Sequence, residues 1–422
     1  MTNNQSKIEK LIAELCPNGV EFKELGELGD FYGGLTGKSK EDFSNGNAKF
    51  ITYMNIFSNI AVDTDVNIFV KMEPNEKQNK IQFGDILFTG SSETPNECGM
   101  SSVLTKKTDE PLYLNSFCFG FRFYDTNLLL PEFSKYLFRD EQMRKQIAKT
   151  ASGVTRFNVS KKRFAKMLIP LPPLAIQQEI VKILDTFTEL EAELEAELEA
   201  RNKQYEYYRG DLLTFGEDVK QMTLGEIAGY RRGSFPQPYG NREWYDGENA
   251  MPFVQVFDVG ENMRLAENTK KRISKLAQPK SVFVPTGTVI VTLQGSIGRV
   301  AITQYDSYVD RTLAIFEKFR IDINKKYFAY QLQKKFSLEK ESARGSTIKT
   351  ITKEELTKFK IPIPPLSEQE RIVSILDKFD ALVNDISIGL PAELNARRQQ
   401  YEYYRGKLLT FKTKGSNSTL LS

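Results

Sequence analysis

The chain has 422 residues, 40% hydrophobic and 27% charged, with a formal net charge of +3; this is room for two or three domains in an ordinary soluble globular composition, and too weakly basic to suggest nucleic acid alone. It has no histidine and three widely spaced cysteines, Cys16, Cys98 and Cys118, which removes Ser-His-Asp and Cys-His nucleophile pairs, a disulfide framework and the usual metal knuckles, so no metal site is expected. No apolar run of about 18 residues exists, and no apolar segment follows the polar start Met1-Thr2-Asn3-Asn4-Gln5; neither a membrane span nor a secretory signal is expected, and the compartment reads as cytoplasmic.

Residues 1–24 read as an N-terminal helical segment. Residues 25–168 are rich in Phe, Tyr, Val, Ile, Thr and Gly, with a strand-like run at Gly84–Thr89 and a helix-like stretch near Pro131–Ala151; that pattern predicts an α+β domain with its β part first. Its loops carry Ser91, Ser92, Arg156, Lys161, Lys162 and Arg163, residue types that pair with base edges and phosphates. The run Gly33-Gly34-Leu35-Thr36-Gly37-Lys38-Ser39 imitates a phosphate-binding loop. However, three residues rather than four separate Gly33 from Gly37-Lys38, Tyr32 occupies the position that needs glycine, and no apolar helix follows. A flexible polar loop is the expectation there.

Residues 169–215 open with Pro172-Pro173, which cannot lie inside a helix, and continue as a helical pattern to about Phe215. Its apolar stripe is Ile180, Leu184, Phe187, Leu190, Leu194, Leu198, Tyr205, Tyr208 and Leu212. The block ELEAELEAELEA at 189–200 places six glutamates around a leucine seam. Such a stretch repels DNA and suits a spacer, and its charge masks basic character elsewhere. Residues 216–360 repeat the α+β pattern, with a strand at Val289–Thr292 and a helix near Lys326–Ala343. The polar and basic candidates there are Arg231, Arg232, Arg242, Gln294, Ser296, Arg299 and Lys349. For any one of these candidates in either segment, a solvated surface position is the competing role. Residues 361–411 give a second helical stripe: Ile372, Leu376, Phe379, Leu382, Ile386, Leu390, Leu394, Tyr401, Tyr404 and Leu408. Gly389-Leu390-Pro391 should interrupt it, with Pro391 restarting the helix in its first turn. Residues 412–422 read as a flexible tail.

The chain is written twice. The heptamer QYEYYRG stands at 204–210 and at 400–406, LLTF follows closely each time, and Pro172-Pro173-Leu174 matches Pro364-Pro365-Leu366. The Pro-Pro pairs are 192 residues apart and the tyrosines 196, so the second helical part holds four extra residues. Leu25-Gly26-Glu27-Leu28 pairs with Leu224-Gly225-Glu226-Ile227, and Gly153-Val154-Thr155 with Gly345-Ser346-Thr347. Junctions and helices agree closely while the intervening segments diverge, the pattern of one scaffold carrying two different readers rather than of a short-period solenoid. Each apolar stripe then finds its partner in the other copy. Neither Pro-Pro pair follows an acid or amide residue, so the Asn/Asp-Pro-Pro-Tyr/Phe methyltransferase motif is missing, and no nuclease cluster stands out; no catalytic residue is nominated.

Pro-Leu-Pro-Pro-Leu-x-x-Gln at Pro170–Gln177, the following Glu-Ile-Val-x-Ile-Leu-Asp, the second copy of the junction, both Tyr-Glu-Tyr-Tyr-Arg runs and the opening Cys16-Pro17-Asn18-Gly19-Val20-Glu21-Phe22 together resemble the specificity subunits of type I restriction-modification systems. The resemblance implies an α+β chain of two α/β target-recognition domains joined by two long antiparallel helices, a coiled-coil spacer with pseudo-twofold tandem symmetry. It implies a non-catalytic subunit that reads a bipartite site in double-stranded DNA. It also implies docking to two modification subunits and, through them, to restriction subunits. S-adenosylmethionine, ATP and Mg would belong to those partners and no cofactor to this chain. The alternatives are a specificity subunit of a two-component enzyme that cuts on both sides of its site and, in another class, a coiled-coil scaffold without a DNA role.

Overall fold

A computed structural model describes residues 6–260, 262–342, 351–385 and 387–415. The chain divides into two compact units: one is built from the stretches up to Glu193 and from Asn395 onward, the other is Leu194–Leu394.

In the first unit the expected N-terminal helical segment is helix over Lys7–Leu15, closed at its start by a Ser6–Glu9 capping box, and becomes a strand at Glu21–Glu24. That strand pairs antiparallel with Leu168–Leu171, register Glu21 to Leu171 through Glu24 to Leu168. Entry to and exit from the globular segment therefore lie side by side. Between them a four-stranded sheet runs in the order Gly29–Gly33, Cys118–Phe123, Ile86–Thr89, Ser101–Val103. All four residues of Ile86–Thr89 are buried, which is why this central strand reads as an unbroken apolar run rather than an alternation. A second four-stranded sheet orders Phe69–Val70, Ala48–Ile51, Leu112–Leu114 and Lys80–Ile81. The expected helix near Pro131–Ala151 is two helices, Pro131–Leu137 and Glu141–Thr150. The break falls where Asp140 turns its carboxylate onto the Gln142 N–H and caps the second. Phe88, Phe119 and Phe164 meet edge-on or offset at 4.9–5.6 Å and close the core beneath them.

The second unit repeats this layout. Gln221–Thr223 pairs with Lys360–Pro362. One sheet orders Ala228–Arg232, Leu313–Phe319, Val289–Thr292 and Val300–Ile302; the other orders Lys271–Ile273, Met251–Val254, Ser307–Val309 and Val282–Val284. The predicted helix near Lys326–Ala343 runs Lys325–Ser342, and Ala343 lies outside the described residues. Matching hydrogen bonds show the repetition directly. Leu25 N donates to Met167 O and Leu224 N to Phe359 O, both at 2.8 Å; Gly90 N donates to Phe117 O and Leu293 N to Thr312 O, again at 2.8 Å.

The junctions are held by a buried glutamine in each copy. Gln177 and Gln369 are 0% and 1% exposed. Each donates to the carbonyl five residues back, Pro172 or Pro364, at 2.8 Å, and each accepts from a backbone N–H of its own globular segment, Leu130 or Asn324. Gln177 also donates to Leu128 O at 3.1 Å. One side chain thus satisfies orphan groups at the helix start and locks the helix to the domain. Gln177→Leu, of similar size, strands one N–H and two carbonyls. A loss of roughly 2–4 kcal/mol is expected, read as a lowered urea midpoint; an unchanged midpoint would refute this role.

Leu174–Leu212 is one continuous helix of 39 residues, about 58 Å long. In the first unit it runs antiparallel to the helix Leu390–Leu408. Phe187 stacks on Tyr404 at 5.5 Å and meets Tyr401 at 6.3 Å, and one turn further on Glu191 takes Arg398 at 2.6 Å. In the second unit Tyr205 and Tyr208 stack on Phe379 of the helix Leu366–Asn384 at 6.1 and 5.5 Å. The first of the two C-terminal helices ends at Asn384 and the second begins at Leu390, near the break that the Gly389–Pro391 run suggested, and Pro391 sits in the first turn of the second. A Cβ on Gly389 would stand 2.5 Å from Ala381 O and 2.6 Å from Leu382 O, so only glycine lets the chain turn back against the helix end.

Two loop expectations change. Residues 412–414 are not a free tail: Val20 N donates to Lys412 O at 2.8 Å and Lys414 N to Val20 O at 2.9 Å; residues 416–422 lie outside the described residues. The Gly33–Ser39 loop is fastened rather than flexible. Lys38, whose side chain is 8% exposed, is ion-paired to Glu76 at 2.5 Å, and Gln78 bonds both the N–H and the carbonyl of Thr36. The Lys38 ammonium and the Gln78 amide hold the Glu76 carboxyl down at about 2.

Candidate nucleic-acid interface

Three stretches far apart in sequence converge in the first segment. The short strand Ser91–Ser92 pairs with Phe157–Asn158, itself one arm of the hairpin Ala151–Ser152 with Phe157–Val159. The hairpin turn begins at Gly153, φ +153°, where a Cβ would come within 1.9 Å of Arg156 O, so glycine is required. From that turn Arg156 reaches back: its Nε donates to Ser91 Oγ at 3.0 Å and its guanidinium lies 5.7 Å from the centroid of the Phe117 ring. Tyr53 OH donates to Ser91 O at 2.8 Å, fixing the same strand from another side. These groups, with Met54, Phe57, Ser92, Glu93, Glu97, Asn115 and Thr155, line a recess of about 520 Å³. Phe117 is 60% and Met54 59% exposed; large apolar groups presented in this way mark binding surfaces.

The structure thus gathers Ser91, Ser92 and Arg156. Lys161, Lys162 and Arg163 sit nearby in sequence on the short helix Lys161–Phe164, capped by Ser160, all three exposed. Lys161 covers the Phe119 ring at 5.3 Å and Arg163 donates to Lys149 O at 3.5 Å. In the second segment Gln294 and Ser296 occupy the turn that follows Val289–Thr292, in the place of Ser91 and its neighbours. Arg231 is paired to Glu317 at 2.7 Å, Arg232 donates to Ile351 O at 3.4 Å, and Arg242 is exposed on a single turn capped by Asn241. Arg299 turns to Val259 O at 3.4 Å. Lys349 and the Gly345–Thr347 match lie outside the described residues, as does Ile386 of the helical stripe.

Sequence reasoning missed the aromatic lining, Tyr53, Phe57 and Phe117, and the acidic rim, Glu93 and Glu97. It also missed two half-buried arginines. Arg139 donates to the carbonyls of Ile56, Phe57, Asn59 and Ser101, and Arg144 to those of Asn96, Cys98 and Gly99. Partial burial draws both guanidinium groups down to about 10, still cationic at neutral pH, and they fix the end of the helix Tyr53–Ser58, which carries Tyr53 and Met54, and the turn Pro95–Glu97.

Of the expected helical seam, Ile180, Leu184, Ile372 and Leu376 are fully buried, Tyr205 and Leu394 nearly so. Phe187, Leu194, Leu198, Phe379 and Tyr401 are half-buried, while Leu190, Tyr208 and Tyr404 are 37–40% exposed. Among the described residues no helix is long and apolar enough to cross a membrane.

The family model for the type I restriction modification DNA specificity domain matches this chain twice, at residues 17–200 and 216–396. The specificity subunit of the type I restriction enzyme EcoR124I/EcoR124II from Escherichia coli is 38% identical over 259 residues, 58% of this chain and 63% of that protein, so the match spans just under two thirds of that relative. A putative type I restriction enzyme specificity subunit of Haemophilus influenzae is 34% identical over 271 residues, 62% of this chain and 68% of its own length. A solved chain from work on complex assembly and conformational transition of the type I R-M system superposes with a TM-score of 0.63 over 93% of this chain and 98% of that one; at 19% identity the likeness is one of fold. The doubled domain match and the level of identity lead to one conclusion: the chain belongs to the specificity subunits of type I restriction-modification systems.

Proposed function

We propose that this chain reads a bipartite site in double-stranded DNA, one half-site by residues 25–168 and the other by residues 216–360. Its helices, 169–215 and 361–411, dock two modification subunits and, through them, restriction subunits. S-adenosylmethionine, ATP and Mg are handled by those partners; this chain contributes recognition and no catalytic group. One observation carries the reading: two copies of one frame, alike in strand clasp, buried glutamine and tyrosine seam, carry different polar residues at the same turn, the one that follows the matched bonds Gly90 N to Phe117 O and Leu293 N to Thr312 O. Where the first presents Ser91 and Ser92, the second presents Gln294 and Ser296. Base edges are told apart by such donors and acceptors, whereas phosphate contacts carry no sequence information.

The test is a methylation assay on the chain alone and with its modification subunit. Alone it gives no S-adenosylmethionine-dependent methylation. With the partner it directs adenine methylation to a motif of two fixed parts separated by unspecified bases. Robust methylation by the isolated chain, or a one-part motif from the complex, would overturn the reading.

A further inference from the structure

We propose that Arg156 is the guanine-reading residue of the first half-site, presented on Phe117; the assignment rests on the recognition function proposed above. Five arginines lie between residues 25 and 168. Arg122 is spent on Asp85 and on Lys80 O, Arg139 and Arg144 each hold three or more backbone carbonyls, and Arg163, which makes one bond of 3.5 Å to Lys149 O, does not line the recess. Arg156 is tied differently. Its Nε donates to Ser91 Oγ at 3.0 Å and its plane lies over the Phe117 ring, yet among the described residues neither of its Nη atoms has a hydrogen-bond partner. Anchoring through Nε with both Nη groups free leaves the guanidinium fork aimed and unoccupied. That fork donates two parallel hydrogen bonds, which match either O6 and N7 of guanine or two oxygens of a phosphate.

The surroundings decide between those two. Glu93 and Glu97 share the recess, and Glu97 is held there by Ser92 Oγ at 3.3 Å and Thr94 Oγ1 at 2.9 Å. Two carboxylates against one guanidinium leave the recess acidic, which repels a phosphate but not the neutral edge of a base. Met54, Phe57 and Phe117 supply apolar surface of the kind that meets bases rather than the charged backbone. The carrier also fits. Arg156 leaves the tip of a two-stranded hairpin whose turn residue Val154 is 92% exposed, and the major groove admits a two-stranded β-ribbon. Basic groups suited to phosphate are set apart on the helix Lys161–Phe164.

The test is methylome mapping of the complete complex carrying Arg156→Ala, Arg156→Lys or Phe117→Ala. With Arg156→Ala, one guanine of the first half-site becomes degenerate, discrimination there falling roughly 5- to 150-fold, while the second half-site stays as it was and reports a folded complex. Arg156→Lys loses the same position, because a point charge cannot replace the fork. Phe117→Ala relaxes that position only. If Arg156→Ala weakens every site alike and lowers the salt dependence of binding by about one phosphate contact, the residue holds backbone and the assignment is overturned. It is overturned equally if both half-sites stay intact. A wild-type complex that methylates no two-part motif would overturn the recognition function itself, and this assignment with it.

Discussion

Replacing residues 25–168 with the corresponding segment of a relative is expected to change one half of the methylated motif completely and leave the other half as it was. The expectation follows from how the segment is attached. Its entry strand Glu21–Glu24 and exit strand Leu168–Leu171 are paired with each other, and the second segment is closed in the same way by Gln221–Thr223 and Lys360–Pro362. Phe88, Phe121, Phe133 and Phe164 belong to the core of the first segment, and Val289, Phe316, Tyr327 and Phe328 to that of the second. A graft that keeps the strand pair in register and keeps Gln177 facing a backbone N–H of the new domain leaves the helix start satisfied. Because each mismatched base pair costs about 1–3 kcal/mol, a new half-site of several bases abolishes methylation of the old motif by well over about 100-fold. Methylome mapping reads the result; a change in both halves, or in neither, would show that the segments do not read independently.

Deleting Glu193–Ala196 has an effect of similar size and a different kind: both half-sites survive and the gap between them shortens. Four residues of helix are about 6 Å of length and 40° of rotation, whereas one residue would turn the following face by about 100°. The helix is built to accept the step. In the block 189–200 only Glu191, Leu194 and Leu198 are even half-buried. The next unit is an identical ELEA, so Leu198 moves into the place of Leu194. The stabilising pairs Arg201–Glu197 and Lys203–Glu199 lie within the part that moves together. At about 3.4 Å per base pair, 6 Å corresponds to a gap shorter by one or two base pairs. Methylation at the original spacing should fall below detection while the new spacing appears. An unchanged gap with full activity would return the block to a plain acidic helix face.

What the sequence made legible was whatever it stated twice. Gln177 and Gln369 could be paired on paper because each stands three residues after a Pro-Pro-Leu run, and the fold then gave each the same bond to the carbonyl five residues back. The strands at Ile86–Thr89 and Val289–Thr292 were legible because central strands are apolar on both faces. The recess was only partly legible. Ser91, Phe117 and Arg156 meet because a short strand and two turns far apart in sequence are brought together, and no periodicity records that. A lone arginine also looks the same in sequence whether its fork is turned inward to carbonyls, as at Arg139, or left open, as at Arg156. Leu190 shows the limit of the stripe. It falls in helical phase with Leu194, but stands 40% exposed next to the Glu191–Arg398 pair, which takes up the contact instead.

The division of the chain into a contiguous unit, Leu194–Leu394, and an interrupted one sets an order for its synthesis. The earlier unit needs the last helix: Tyr401, Leu408, Leu409 and Phe411 belong to the same core as Ile8, Phe133 and Ile176, and Gln142 bonds Thr410 at 2.7 Å. At roughly 5–20 residues per second on the ribosome, those groups emerge about 10–40 s after Glu193. The unit encoded later therefore completes itself first, and the one begun first waits, with Phe187 bare until its two tyrosines arrive. A chain truncated after residue 394 would hold the whole of the second unit and a first unit still missing part of its core.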